Sequence, residues 1–373
     1  MGHLVLVGGG HVHLTTLKNL RNITSRGHRV TLVSPEDHHY YSGMGPGMLG
    51  GSYTPDDIRF HVKKMVEDRG GTFLRSRVTS FDPAERTLTV DDGTTLQYDV
   101  ASFNIGSTIP RETISGDDAN IYTVKPISEL LRARNDLLEP GTSSPRVVVV
   151  GGGPAGLEMA GNLRRLFDSE GLNGTITVVA GRRFLHAFHP RVRSLALASL
   201  ESRGVTVLEG VRAEECSSGR ARLSDGREIS CDALFLATGI KPPPVFGASG
   251  ISTDTEGGLL VNEFLQSVDF PNIFGGGDCI GFQPRPLNKV GVYAVRQNPV
   301  IAHNLLAALE GTALRPFDPG GPYLLIFNLG NNRAIFARGS LVFQGKTAHF
   351  LKDRIDRRFM REFQVSGERS TGA

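Results

Sequence analysis

The chain has 373 residues, enough for two or three domains with real cores, and 46 glycines beside 39% hydrophobic residues suit an α/β protein rich in glycine turns. A net charge of +3 is too small to argue for nucleic acid, and Cys216, Cys231 and Cys279 show neither metal nor disulfide spacing, which points to a reducing, cytoplasmic setting. No apolar run approaches the roughly 20 residues that span a bilayer, and a strand that starts near the N-terminus leaves no room for a signal peptide.

Leu4–Val7 reads as a buried parallel strand, Gly8-Gly9-Gly10 as the turn after it, and Leu14, Leu17 and Leu20 as the buried side of a helix. A strand, a glycine turn and a helix N-terminus aim backbone N–H groups at one point, which is how a pyrophosphate is held. Gly8 permits the turn and Gly10 the close approach. The third position of the G-x-G-x-x-G pattern is His13, not Gly or Ala. His11 and His13 either touch the phosphates or pack the turn. Arg29–Ser34 is the second strand, and its end leaves Ser34 or Glu36 to bind the adenosine ribose.

Asp37–Gly51 is expected to be an irregular loop lying against a flat cofactor ring, with Gly43 and Pro46 at the contact. A helix is expected from Thr54-Pro55. Thr72–Gly106 is strand-rich and ends in a second glycine turn at Gly106, and Glu129–Leu138 is a helix.

The opening pattern then returns in full. Val147–Val150 is followed by Gly151, Gly153 and Gly156 in a complete G-x-G-x-x-G, with Glu158 in the first turns of the helix. The matching second strand, Ile176–Ala180, ends in Arg182 and Arg183 with no acid. Arginine there suits a 2′-phosphate and hence NADPH; the alternative is a pair of solvated loop arginines. The apolar strand Ala233–Ala237 ends in a turn at Gly239 that parallels Gly106. The economical reading is an α/β chain of two Rossmann-like dinucleotide-binding domains in tandem, each a three-layer ββα unit. NIFGGGDCI places Gly277 and Asp278 just after a strand, and a long helix starts at Gly291-Val292. The tail reads as a small β-meander and one helix, residues 347–363, whose Phe350, Leu351, Ile355, Phe359, Met360 and Phe363 share a face flanked by Lys352, Arg354, Arg357, Arg358 and Arg361. Such a helix either lies on an anionic membrane surface or packs on its own domain. The last ten residues are expected to be disordered.

The paired fingerprints, the turns Gly106–Pro110 and Thr238–Pro242, and NIFGGGDC resemble the two-dinucleotide-domain flavoproteins, which include disulfide reductases, type II NADH dehydrogenases and sulfide:quinone reductases. GGGHVH, YSGMGPGMLGG, KVGVYAVRQ and KDRIDRRFM more closely resemble the flavoproteins related to the domain fused ahead of selenide, water dikinase. The resemblance implies FAD on the first fingerprint and NAD(P)H on the second, with residues 1–112 and 245–319 as the FAD domain, 113–244 as the NAD(P)H domain and 320–373 as the C-terminal unit. Asp278 would bind the FAD ribityl chain, and the helix start at Gly291 and Val292 would face the flavin edge where negative charge collects. Lys289 would stabilise that charge, and Glu158 would lie near the nicotinamide and relay protons.

Departures narrow the chemistry. Residues 1–215 hold no cysteine, which removes the disulfide reductase reaction. Pro154-Ala155 and Val290–Val292 stand where sulfide:quinone reductases carry redox cysteines. Val292 and Arg296, with Gln297 adjacent, replace the two glutamines of the type II quinone site. The expected activity is hydride transfer from NAD(P)H to flavin and then electron transfer to a second acceptor, a quinone at the inner face of the membrane. The rivals are a reductase of a soluble carrier protein and a flavin-binding sensor without turnover. A homodimer is compatible with the sequence.

Overall fold

The computed structural model describes residues 1–116 and 120–368. Two five-stranded parallel sheets organise it, each built around a buried strand that runs into glycines. In the first half β1 (His3–Val7), β2 (Arg29–Ser34), β3 (Thr72–Arg75) and β4 (Val100–Phe103) lie side by side. In the second half β5 (Ile121–Thr123), β6 (Arg146–Val150), β7 (Thr175–Ala180), β8 (Val205–Glu209) and β9 (Ala233–Leu236) form the order β5-β9-β6-β7-β8. The chain then returns to complete the first sheet with β10 (Ile273–Gly275), giving β10-β4-β1-β2-β3. β1 is buried along its whole length, and β6 from Val147 onward, because a parallel sheet is covered on both faces; on the first sheet a small antiparallel sheet of residues 78–97 supplies part of that cover, its Phe81 lying 4.9 Å from Phe103 of β4. The expected fold class is therefore what the chain adopts.

The two halves repeat a local geometry. The Gly8 N–H donates to the Val33 carbonyl at 2.8 Å, and the Gly151 N–H donates to Val179 at 2.9 Å. Each bond ties the glycine turn to the end of the neighbouring strand. The first helix is shorter than its leucine spacing predicts: a 3-10 turn at His11–His13 leads into α1 (Leu14–Lys18), which stops before a separate turn at Arg21–Thr24.

Two expectations in the next stretch fail. The glycine-rich loop is not irregular throughout, since it contains α2 (Gly45–Leu49). Pro46 sits in its first turn, where the missing N–H costs nothing, and Met48 and Leu49 are buried. The helix expected from Thr54 does not form. Thr54 and Asp57 bond each other's backbone N–H groups, but Arg59–Phe60 then pairs with His39–Tyr40 as a short ladder. The helix starts only at Val62, where the His61 side chain caps it.

In the second half α3 (Pro154–Glu170) has Pro154 in its first turn and ends at Gly171 with φ 69°. After β10, α4 (Gly291–Glu310) packs back on the start of the chain, and Asn298 Oδ1 accepts the Thr15 N–H at 2.8 Å. The antiparallel meander is β11 (Leu325–Asn328), β12 (Ala334–Arg338) and β13 (Leu341–Gly345), as expected, followed by α5 (Lys346–Phe363).

α5 does not present one apolar face. Met360 and Phe363 are buried, and the Phe359 ring lies tilted against Tyr41 with centroids 4.9 Å apart, whereas Phe350 and Ile355 stay exposed. Lys352 also turns inward. Its Nζ donates to the Gly43 carbonyl and to Asp356 Oδ2, both at 2.7 Å, and Tyr41 OH donates to Asp356 Oδ1 at 3.0 Å. These polar contacts displace the helical register that hydrophobicity alone predicts. Nor is the tail disordered from residue 364: Glu368 accepts the His61 N–H, and Gln364 donates to the Asp56 and Arg59 carbonyls. Residues 369–373 of that expectation lie outside the described residues.

Lys352→Met should destabilise the protein by about 3–5 kcal/mol, because it strands a buried carboxylate. Urea unfolding measures it, and the pair Lys352→Met/Asp356→Leu should recover most of the loss.

Candidate functional site

The first sheet's glycine turn opens a cleft of about 620 Å³. Gly8, Gly10, His11, Ser34, Glu36, Gly106, Gly277 and Asp278 all line it, so eight of the sequence candidates converge on one space. A Cβ on Gly8 would strike the Asn104 carbonyl, and one on Gly10 would strike Asn104 Oδ1. The turn is thus pressed against β4's end and leaves its outer side free for a ligand. Ser34 Oγ donates to the Glu36 carbonyl at 3.2 Å, while Glu36 Oε1 accepts from Ser128 Oγ at 3.1 Å.

Asp278 is held in place. Its Oδ2 accepts from Ser107 Oγ at 3.0 Å and pairs with Lys125 Nζ at 2.5 Å. Lys125 follows β5 of the second sheet, so this pair joins the two halves across the cleft. Lys125, Ser107 and Asn104 were not singled out by sequence. Asn104 had a signal, as the polar residue closing an apolar strand just before a glycine turn. Lys125 had none, because its partner is 153 residues away.

His13 is a brace: its ring nitrogens meet the Gly8 carbonyl at 2.6 Å and Ser102 Oγ at 2.9 Å. Gly43 offers its carbonyl to Lys352, and Pro46 opens α2. Gly291 is exposed at the head of α4, and Val292 is half-buried beside it. Lys289 lies in a small recess with Gly277, Asp278 and Tyr293, where its Nζ is 3.4 Å from Glu256 Oε2 and 3.4 Å from the Ile280 carbonyl. Gln297 Oε1 accepts the Gly277 N–H at 2.7 Å and so fixes the turn before Asp278. Arg296 is bound to the Pro319 and Gly321 carbonyls.

The second glycine turn is more open. Gly156 packs so tightly that a Cβ would strike the Gly151 carbonyl, whereas nothing lies within 4 Å of a Cβ on Gly153 or Gly239. Space of this kind, at the head of α3, fits a second dinucleotide. Arg182 and Arg183 are exposed after β7, and Arg212 packs beside Gly181.

Between the halves lies a second polar group. Glu158 Oε1 accepts the Asn328 N–H at 2.7 Å. Burial raises the Glu158 carboxyl above its ordinary range, against the opposing pull of Lys352 and of that N–H. Burial likewise raises Asp356, against Lys352 and Tyr41. For Lys352 burial works to remove the charge, but Asp356 and Glu158 outweigh it and hold the ammonium above its usual value. Two carboxyls raised above their ordinary range by burial and one firm cation therefore stand where α2, α3, the meander and α5 meet. All three cysteines are buried and none is in a disulfide, and burial pushes the Cys279 thiol up to about 11, so it is no thiolate at neutral pH.

Known proteins give the same picture. The family described as pyridine nucleotide-disulphide oxidoreductase matches residues 2–303. Ferroptosis suppressor protein 1 of Taeniopygia guttata is 26% identical over 344 residues, covering 89% of this chain and 87% of that one. The ferredoxin reductase subunit of 5,5'-dehydrodivanillate O-demethylase from Sphingobium is 27% identical, covering 75% and 68%. In fold, the sulfide:quinone oxidoreductase of Aquifex aeolicus superposes with a TM-score of 0.79 at 18% identity, covering 98% and 92%.

Gly10→Ala should lower FAD retention at least about tenfold, since 1.4 kcal/mol of strain suffices. The flavin-to-protein absorbance ratio of the purified variant checks this, with urea unfolding as the control for folding.

Proposed function

Because the chain belongs to the pyridine nucleotide-disulphide oxidoreductase family and takes FAD and NAD(P)H, we propose that it passes electrons from the nicotinamide nucleotide to a quinone. The glycine turn at Gly8–Gly10, Ser34 or Glu36, Gly106 and Asp278 would hold FAD. Gly151, Gly153, Gly156 and Gly239 would hold the nicotinamide nucleotide. Bound FAD supplies a ring that accepts hydride and releases electrons singly or in pairs. The residues' part is to bind, orient and manage protons.

Two of the similar proteins carry an acceptor in their names, a quinone in one and ferredoxin in the other. Likeness alone does not choose between them. The buried group of Glu158, Lys352, Asp356 and Tyr41 carries the choice. A quinone takes up two electrons and two protons, and a hydride brings only one of those protons. Carboxyls whose proton affinity is raised by burial, beside a Lys352 ammonium, are suited to relay the other. A ferredoxin takes electrons alone and needs no such group. Lys352 orients this cluster through Gly43 and Asp356. The outer face of α5 adds support: Phe350 and Ile355 are exposed beside Arg354, Arg358 and Arg361, a composition that suits an anionic membrane surface, where quinones reside. Among the described residues no helix is long and apolar enough to cross a membrane. The same arginines could meet an acidic carrier protein, which is the second reading. Arg182 and Arg183, with Arg212 nearby, favour NADPH as the donor.

The test is an acceptor screen with the FAD-loaded protein and NADPH. A short-chain quinone should turn over at least about tenfold faster, as kcat/KM, than a [2Fe–2S] ferredoxin, and Glu158→Gln should lower the quinone rate more than the ferredoxin rate. A faster ferredoxin reaction would replace the quinone reading with the carrier-protein one.

A further inference from the structure

The loop after β7 carries two arginines and is tied down on both sides of them. β7 lies parallel to β6 with Val179 opposite Val150, so the end of β7 reaches the second glycine turn. The Leu185 N–H closes the loop by donating to the Gly152 carbonyl at 2.7 Å, and Phe184 and Leu185 are buried. Arg182 and Arg183 stand exposed between these anchors and make no hydrogen bond or ion pair among the described residues. Two guanidinium groups are thus presented from a fixed backbone, beside the turn that would hold a dinucleotide's phosphates.

Their freedom has a cause one strand further on. Glu209 ends β8 opposite Ala180, the residue from which the loop departs. A carboxylate there could pair with a loop arginine, but it is already engaged. Both of its oxygens accept from Arg193 Nη2 at 2.8 Å, and Oε1 also accepts the Phe184 N–H at 2.5 Å. Arg193 comes from the helix Pro190–Glu201, and its side chain is only 20% exposed, so the pair is more sheltered than an ordinary surface ion pair. Burial opposes the Glu209 charge, but Arg193, the Phe184 N–H and the field of Arg183 outweigh it and hold the carboxyl below its ordinary range. Glu209 is therefore a carboxylate within the field of Arg183, and Arg193 cancels its charge.

We propose that Arg193 sets the nucleotide preference without touching the nucleotide: by neutralising Glu209, it leaves Arg182 and Arg183 free to pair with a 2′-phosphate. The inference rests on the reading of NADPH as the donor. Arg193 and Glu209 are positioning residues, and the two loop arginines are the contacts. Without Arg193, the Glu209 carboxylate competes for Arg183 and repels the phosphate. A nucleotide with a free 2′-hydroxyl carries no charge at that point and is hardly affected.

The test is titration calorimetry of the FAD-loaded protein with NADP+ and, separately, NAD+. Arg193→Leu should weaken NADP+ binding about tenfold or more and NAD+ binding less than about twofold. Arg193→Leu/Glu209→Gln removes the stranded charge but keeps an acceptor for the Phe184 N–H, and should recover most of the NADP+ affinity. An unchanged ratio of the two dissociation constants in Arg193→Leu overturns the proposal, and so does an equal loss for both nucleotides, which would mark the pair as a structural brace alone. A double variant as weak for NADP+ as the single one overturns it too. If Arg193→Leu does not fold, Arg193→Gln, which keeps a donor for Glu209 but not the charge, decides the matter: a loss confined to NADP+ supports the proposal, and an unchanged ratio overturns it. A wild-type protein that binds NAD+ as tightly as NADP+ would instead remove the NADPH reading on which this rests.

Discussion

One side chain holds the first cofactor cleft together. Asn104 Oδ1 accepts the Val12 N–H at 3.1 Å, and its Nδ2 donates to the Gly276 carbonyl at 2.8 Å. The first bond fixes the glycine turn proposed to face the FAD pyrophosphate. The second holds Gly276, 172 residues further along, in the turn that presents Asp278. Both bonds are buried, so loss of either would leave a polar group unpaired. The two glycines of the fingerprint press on the same asparagine. A cleft lined from three distant parts of the sequence thus depends on one amide.

The rest of the architecture elaborates that constraint. The chain leaves the first sheet after β4, builds the second and comes back to lay β10 beside β4. Lys125 and Asp278 meet across that excursion, one from each half. The C-terminal unit then closes the other side. Its helix puts Lys352 and Asp356 against Tyr41 and near Glu158, and rings of the first half pack on Phe359 and Phe363. Cofactor cleft and buried acid cluster are therefore neighbours, with His11 and Tyr41 in contact between them.

The sheets were legible in the sequence because a buried strand running into glycines is a local pattern. Gly8, Gly10, Gly106 and Asp278 could be placed for the same reason. What could not be read depends on distant partners. Lys125 looks like any lysine until Asp278 is beside it. The glycine-rich stretch after His39 forms a helical turn because Met48 and Leu49 find a core, which spacing does not reveal. The hydrophobic face drawn for the last helix split because Lys352 and Asp356 turn inward as a pair, and a helical wheel assigns both to water. Thr54 and Asp57 made the expected capping bonds, yet strand pairing two residues later stopped the helix.

The central claim is that two dinucleotide sites cooperate in hydride transfer. The most direct measurement is anaerobic rapid mixing of the FAD-loaded protein with NADPH, and separately with NADH, following the oxidised flavin band. Bleaching by both within seconds, faster with NADPH, is the predicted result. A flavin that neither nucleotide bleaches would contradict the account.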